Sequence, residues 1–299
     1  MSIDRVEGLV YGVEDVAACT TFLDDWGMEK LSGTASGADF RTLENQIVSI
    51  RNIDDASLPA PVEAGSTVRE VIWGVDSEES LAAIGAQLSK DRDVTEDVDG
   101  GLHAYDMLGI GIGFRVKEEI AHKDEPPMLN FKESVQRLNQ TIEDTQEIRT
   151  RPCRIGHVVY NYPQEMRDAA VDFCTDRLNF RVTDAVTGMG DFLRCDGSSY
   201  HHTWFLSHSG DSVRFNHVAY EVKDFEQIIL GGKYMRERDW TTSRNPGRHN
   251  LGSNLHWYFN CPLGGEIEYF SDMDRMDDNW ETRTWDEPPM INFWKAEVL

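Results

Sequence analysis

The sequence predicts an α+β protein made of four βαβββ modules, paired two and two into an N-terminal and a C-terminal domain. Three observations predict it. The segments Asp124-Glu-Pro-Pro-Met-Leu-Asn-Phe131 and Asp286-Glu-Pro-Pro-Met-Ile-Asn-Phe293 are identical at seven of eight positions, at an offset of 162 residues. Weaker echoes precede them at offsets of 149, 147 and 155, so two copies of one plan differ only by small insertions. Within each copy a short apolar strand twice leads into a helical pattern, and a repeat of this length sets the architecture before any single element is assigned.

The elements follow in order. RVEGLVYGVEDVAACTTFLDDWGM at 5–28 reads as a strand and then a helix whose apolar stripe is Val16, Cys19, Phe22 and Trp26. RIGHVVYNYPQEMRDAAVDFCTDRLNF at 154–180 repeats it, with Met166, Ala170 and Phe173 on the stripe. VREVIWGVDSEESL at 68–81 and FNHVAYEVKDFEQI at 215–228 form the second matched pair of strand and helix, and LGIGIGF at 108–114 matches GGEIEYF at 264–270. Asp99-Gly-Gly101, Asp196-Gly197, Pro246-Gly247 and Pro262-Leu-Gly-Gly265 punctuate these runs as turns. The domains are expected at 1–131 and 151–299, with a polar linking helix in 132–150, strongest over 132–147, between them.

Composition narrows the function classes. The chain of 299 residues carries 53 Asp and Glu against 29 Lys and Arg, a formal charge of −24. Such acidity repels phosphate backbones and anionic lipid, so nucleic-acid and membrane partners are not expected. The longest apolar runs fall far short of the roughly 20 residues of a membrane span, and the N-terminus MSIDRVEG lacks the basic and apolar regions of a signal peptide, so a cytoplasmic location is expected. Residues 1–150 hold 30 acids and 13 bases, −17, whereas 151–299 hold 23 and 16, −7. The excess reads as a solubilising surface on the first half. Five cysteines, none spaced as CxxC, read as reduced thiols, and none is singled out as a nucleophile.

Reading the halves against each other locates the chemistry. His157 stands where the N-terminal copy has Gly8, His217 where it has Glu70, and Glu268 where it has Gly113. A lone histidine on an apolar strand is ordinarily a satisfied core side chain, and a lone glutamate a solvated one. Three such replacements on repeat-equivalent strands point instead to the two-histidine, one-carboxylate set that holds a non-haem Fe(II) or Mn(II) and leaves positions open. Each residue lies mid-strand, where the period of two sends Ile155, His157 and Val159 to one face and Phe215, His217 and Ala219 likewise. If these faces line one interior, the three ligands can meet.

GHVVY (156–160), HHTWF (201–205), FNHVAYEV (215–222), GRHNLGSNLHWYFNCP (247–262) and GGEIEYFSD (264–272) together resemble the type I extradiol ring-cleaving dioxygenases of the vicinal oxygen chelate superfamily, the 2,3-dihydroxybiphenyl and catechol 2,3-dioxygenases among them. The likeness spans nearly the whole chain in architecture and the C-terminal half in motifs. It implies the paired βαβββ fold also found in glyoxalases and bleomycin-resistance proteins. It further implies Fe(II), or Mn(II) on the same donors, held by His157, His217 and Glu268, with O₂ as co-substrate. The reaction implied is meta cleavage of a small aromatic diol to a 2-hydroxymuconate-semialdehyde-type product in aromatic catabolism, by a homo-oligomer.

The same resemblance implies that His202, second of the His201-His202 pair, is the acid–base residue, a role suited to an imidazole titrating near ~6.5. It implies that His249 and Tyr258 contact a substrate oxygen. Val159, Phe192, Trp204 and Asn250 are the expected pocket lining, while His201, His208 and His256 read as structural. The loop after His249, Asn-Leu-Gly-Ser-Asn, departs from the Asp that many dihydroxybiphenyl enzymes carry there, so the reaction type is implied more firmly than the ring. The repeated Pro-Pro-Met segments fit closure of a pocket mouth, a subunit contact or a tail packed beneath each domain. A second class shares fold and metal set: glyoxalase-like isomerases and lyases, which would need a fourth protein ligand not evident here, and non-catalytic binding proteins.

Overall fold

The structure is a computed structural model that describes residues 2–123, 128–142 and 149–297. The first half is β1 (Ile3–Val13), α1 (Val16–Asp25), β2 (Glu29–Thr34), β3 (Gly37–Arg41), β4 (Ile47–Asn52), then β5 (Thr67–Val75), α2 (Glu78–Leu88), β6 (Thr95–Glu96), β7 (Leu102–Tyr105) and β8 (Gly111–Val116). The second half is β9 (Arg154–Asn161), α3 (Arg167–Asp172), β10 (Arg181–Val186), β11 (Gly190–Arg194) and β12 (Trp204–Ser207). It continues with β13 (Arg214–Glu221), α4 (Phe225–Arg236), β14 (Thr242–His249), β15 (Leu255–Asn260) and β16 (Glu266–Ser271), and two added strands, β17 (Arg283–Trp285) and β18 (Asn292–Lys295). These are the four βαβββ modules read from the repeat.

Pairing within each module explains its shape. A helix follows the first strand, and the crossover lets the first and last strands run parallel: β1 with β4, β5 with β8, β9 with β12, β13 with β16. The two modules of each half then join antiparallel at their first strands, β1 with β5 and β9 with β13. The results are an eight-stranded sheet, β2-β3-β4-β1-β5-β8-β7-β6, and a ten-stranded sheet, β17-β10-β11-β12-β9-β13-β16-β15-β14-β18. Helix starts are capped where the sequence offers a short oxygen: Asp15, Ser77 and Asp224 side chains accept from Ala18, Ser80 and Gln227 N–H. α3 has no side-chain cap and widens into a looser turn over Phe173–Arg177.

Register confirms how the halves correspond. Gly8 pairs with Ile72, which pairs with Gly113; His157 pairs with Ala219, which pairs with Glu268. Val10 lies opposite Glu70 as Val159 lies opposite His217. The halves share one apolar core, in which the Trp26 ring stacks on Tyr269 at 3.5 Å and Trp73 meets Trp204 at 5.0 Å. Gln46 stitches β1 to β9, donating to the carbonyls of Val6 and Ile155 and accepting from Ile155 N–H.

Two expectations are corrected. Residues 132–141 are not helical: Asn130 Oδ1 accepts from the N–H groups of Gln136 and Arg137, and Phe131 bridges Ser134, which folds the segment back on itself. This polar stretch lies exposed, without a packed face to hold a helix, and helical stability in proteins comes mostly from such packing. Residues 143–148 of the expected linker lie outside the described residues. Pro246-Gly247 is not a turn but lies inside β14, where a register shift between Arg244 and Gly247 accommodates the missing N–H of proline. Pro262-Leu-Gly-Gly265 does turn, and only glycine fits at 264, where φ is +104° and a Cβ would collide with the Ser66 carbonyl oxygen.

Four of the five cysteines are buried and none is in a disulfide, and burial pushes Cys19 and Cys195 up to about 12. Among the described residues no helix is long and apolar enough to cross a membrane.

Candidate active site

The three strands that carry His157, His217 and Glu268 are neighbours in the order β9, β13, β16. His157, Ala219 and Glu268 share one cross-strand row, and His217 precedes Ala219 by one full strand period. Because residue 219 contributes only a methyl group, the two outer side chains lean together above it. His157 Nε2 lies 3.2 Å and His217 Nε2 3.4 Å from Glu268 Oε2. The three donor atoms lie within 4.8 Å of one another, and all three side chains are buried.

This donor set fits a divalent cation on the structure's own terms. His217 Nε2 and Glu268 Oε2 are buried without a hydrogen-bond partner, an arrangement that costs free energy unless something else satisfies it. The outer atoms are already engaged: His217 Nδ1 lies 2.6 Å from Asn216 Oδ1, and Asn254 donates to Glu268 Oε1 at 3.1 Å. With Nδ1–H donating to the amide oxygen, His217 presents its Nε2 lone pair inward, the tautomer a metal ligand needs. Burial pushes His217 down to about 4, so the ring is neutral. Burial alone would raise the Glu268 carboxyl, but the facing imidazoles hold it well below the usual carboxylate range.

Above this set opens a cavity of about 290 Å³, close to the lower end of small-molecule sites. Its polar groups are His157, His202, His217, Arg244, His249 and Tyr258, with Asn161, Ser207, Ser209 and Asn216 farther along. Its apolar walls include Val159, Phe192, Phe205 and Leu251, and it is roofed by Pro289, Met290 and Ile291 from the second repeated segment. The first repeated segment, at 124–131, is described only from Met128, and there Phe131 is exposed.

The other expected site residues fall as follows. His202 is buried beside His157, ring centroids 4.3 Å apart. Burial, reinforced by His157 and His201, pushes its titration well below 6.5, so the unperturbed value expected from sequence is corrected to a neutral imidazole at rest. His249 Nε2 is 2.8 Å from Tyr258 Oη, and Tyr258 lies opposite Glu268 on β15. Burial lowers His249 and raises Tyr258, and with the His249 proton on Nδ1 toward the Ile291 carbonyl, the phenol O–H donates to Nε2.

Val159 and Phe192 line the cavity, but Trp204 and Asn250 do not. Trp204 faces the core, 1% exposed, against Trp73 and Phe180. Phe205 stands in its place, paired with Val159. Strand alternation from His202 would put Trp204 on the same face, but residues 201–203 are not strand and β12 begins only at Trp204. Asn250 is exposed, its N–H donating to Ile291 O, and Leu251 turns inward instead. Arg244 went unrecognised: it lies over the Tyr258 ring at 4.6 Å and pairs with Glu266. A basic residue two positions before Pro246 carries no signal by itself. His201, read as structural, hydrogen-bonds both His202 and Asp184.

Among the described residues, the N-terminal half has no counterpart site. A Cβ at Gly8 would lie 2.6 Å from Ile47 O, so no side chain fits where His157 stands in the second half. Glu70 is instead engaged by His103 at 2.7 Å.

No family model matches the chain. Metapyrocatechase 2 of Cupriavidus necator is 29% identical over 198 residues, 66% of this chain, and the chain spans 59% of that relative's length. Homoprotocatechuate 2,3-dioxygenase from Brevibacterium fuscum, solved with 3,4-dihydroxyphenylacetate, superposes with a TM-score of 0.76 at 18% identity, over 100% of this chain and 90% of that one. A Mn(II)-bound glyoxalase from Novosphingobium aromaticivorans superposes with a TM-score of 0.75 at 23% identity, over 98% of this chain and 91% of that one. The chain has the vicinal oxygen chelate fold, and within it resembles the extradiol catechol dioxygenases.

Proposed function

We propose that the protein cleaves a catechol-type aromatic diol with O₂ in the extradiol sense, with Fe(II) held by His157, His217 and Glu268, giving a 2-hydroxymuconate-semialdehyde-type product. The observation that carries this reading is the meeting of three buried ligand atoms within 4.8 Å at one end of a cavity that His202, His249 and Tyr258 also line. Likeness to a metapyrocatechase and to a catechol-cleaving enzyme in complex with its substrate supports it. Bound there, Fe(II) supplies an electron path between an electron-rich diol and O₂, and Mn(II) suits the same donors.

The protein's own groups then orient the diol and move its protons. Val159, Phe192, Phe205 and Leu251 hold the ring and exclude water. Tyr258 Oη donates to His249 Nε2 and keeps a lone pair for a substrate hydroxyl. A proton leaving that hydroxyl passes to Tyr258 Oη as the phenol proton passes to His249, so the phenol never ionises. His202, neutral at rest, begins as a proton acceptor on the other side of the site and afterwards returns the proton to an oxygen of the reacting species. Such a positioned acid–base group contributes roughly 10²–10⁴-fold.

The test is direct. Anaerobic protein is reconstituted with Fe(II), mixed with a panel of monocyclic and bicyclic catechols, and exposed to air. The expected result is one O₂ consumed per ring with a yellow, visible-absorbing product. Iron retained without O₂ uptake across the panel overturns the reading.

The likeness to a Mn(II)-bound glyoxalase supports a second reading, a metal-dependent isomerase or lyase. Activity with Ni(II) or Zn(II) under nitrogen would favour it. Among the described residues, however, the metal-ligating group has three members, and the fourth protein ligand that such a site would need is not among them.

A further inference from the structure

Behind His202 lies a buried chain of hydrogen bonds that the proposed reaction does not use. His202 Nδ1 is 3.0 Å from His201 Nδ1, and His201 Nε2 is 2.6 Å from Asp184 Oδ2. Asp184 and His201 are both fully buried. Asp184 receives three further hydrogen bonds from β17: Arg283 Nε at 2.9 Å and Trp285 Nε1 at 2.6 Å on Oδ1, and Arg283 Nη2 at 2.8 Å on Oδ2.

Proton accounting along this chain has one consistent solution with a single proton on each ring. A carboxylate only accepts, so His201 carries its proton on Nε2 and donates it to Asp184. His201 Nδ1 is then an acceptor, and the proton between the two rings must sit on His202 Nδ1. That leaves His202 Nε2 as a lone pair for the cavity its ring lines.

We infer that Asp184 and His201 are positioning residues that fix His202 in the Nδ1–H tautomer, so that its Nε2 is held ready to accept a proton from bound substrate. The inference rests on the reading of His202 as the acid–base residue and deepens it. Burial opposes ionisation of Asp184, but the donors from His201, Arg283 and Trp285 hold it below the usual carboxylate range, as the relay requires. The C-terminal segment thereby serves the site twice, since Pro289–Ile291 roof the cavity and β17 anchors the relay behind it.

Asp184→Asn tests the relay with little change of shape. Trp285 Nε1 can only donate, so the amide oxygen stays toward Trp285 and Arg283 Nε, and the NH₂ group turns to His201, while the exposed Arg283 Nη2 loses its acceptor and turns to solvent. His201 must then accept on Nε2 and carry its proton on Nδ1. His202 is forced to the Nε2–H form, with a proton where the lone pair was. In the serine-protease triad the same Asp-to-Asn exchange keeps the geometry and lowers turnover about 10⁴-fold through the wrong tautomer.

The experiment reads the ¹⁵N imidazole signals of the full chain, metal-free and loaded with diamagnetic Zn(II), alongside kcat, KM and iron content of the Fe(II) form. Expected are Nδ1–H for His202 in the wild type and Nε2–H in Asp184→Asn. Expected with them are unchanged iron content, KM within threefold and kcat lowered at least 100-fold. His202 found as Nε2–H in the wild type overturns the inference without recourse to any variant. So does an Asp184→Asn protein that keeps the wild-type tautomer or a kcat within twofold. If the wild type consumes no O₂ with any catechol, the reaction assignment fails, while the tautomer signals still decide the relay.

Discussion

His157 and Glu268 stand on strands that do not touch, with β13 between them, and yet His157 Nε2 comes within 3.2 Å of Glu268 Oε2 across the methyl group of Ala219. Two strand spacings amount to about 10 Å. Only side chains leaning inward over a small residue close that gap. Ala219→Leu fills the space and is expected to lower metal affinity at least tenfold, at a packing cost of about 1–3 kcal/mol. Metal content after gel filtration and a thermal melt separate the two effects. A folded Ala219→Leu protein with full metal content would show that the ligands do not depend on this position.

Removing His217 and removing His202 are expected to fail differently. His217→Ala loses a donor and leaves Glu268 facing one imidazole, so metal is not retained. His202→Ala keeps all three donors, and iron content and substrate binding are expected to persist while kcat falls by roughly 10²–10⁴. Stopped-flow detection of the anaerobic substrate complex, beside steady-state O₂ uptake, distinguishes them. Full turnover by His202→Ala would remove it from the acid–base role.

The clustering of His157, His217 and Glu268 and the fold were legible in the sequence for a common physical reason. An internal repeat turns each strand into a control for its twin, and strand periodicity fixes which residues share a face. His157 over Gly8, His217 over Glu70 and Glu268 over Gly113 are the pairs that the observed register also aligns. Periodicity stops helping where the backbone leaves the strand. Residues 201–203 break the alternation between His202 and Trp204, and the loop after His249 turns Leu251 rather than Asn250 inward. The link between Asp184 and His201 spans two strands and a loop, and nothing local in either segment signals it. The linker misled for the opposite reason, since its helix-forming composition found nothing to pack against, and Val135 and Leu138 lie exposed.

Phe205 and Trp204 therefore exchange roles in substitution experiments. Trp204→Ala empties a core position between Trp73 and Phe180 and is expected to cost about 3–5 kcal/mol, with the KM of any protein that folds little changed. Phe205→Ala opens the cavity wall where Phe205 stacks on Phe192 at 4.1 Å, and is expected to shift preference toward bulkier catechols. Urea unfolding and relative kcat/KM on one-ring and two-ring diols give the readouts. A specificity change from Trp204→Ala with none from Phe205→Ala would reverse the assignment.

The Glu70–His103 pair of the N-terminal half should make a pH-dependent contribution to stability. The Glu70 carboxylate, hydrogen-bonded to His103 and aided by Asp97, raises this imidazole above 6.5 in the fold. A group whose folded pKa exceeds its unfolded one stabilises fully below the unfolded value and loses that contribution as pH rises through the folded value. Wild type is therefore expected to exceed His103→Gln at about pH 6 by on the order of 1 kcal/mol, roughly 2–4 °C in Tm. The gap should narrow toward about pH 9. A gap that widened with pH would contradict the pairing.

Grafting the three ligands onto the first half by Gly8→His, Glu70→His and Gly113→Glu is expected to create no second metal site. Register supplies the right rows, but a Cβ at position 8 would sit 2.6 Å from the carbonyl oxygen of Ile47, on the strand paired parallel to β1. The obstacle is backbone rather than a movable side chain, so it must shift before any imidazole can enter. At position 113 a Cβ would come within 3.2 Å of Glu70 Oε1, a contact that the Glu70→His exchange can relieve. Position 8 is thus the decisive barrier, and Gly8→Ala alone is expected to cost about 1–3 kcal/mol. Metal-to-protein ratios after loading the triple variant test this: a ratio that stays at one follows from the clash, and a ratio of two would show that β4 yields.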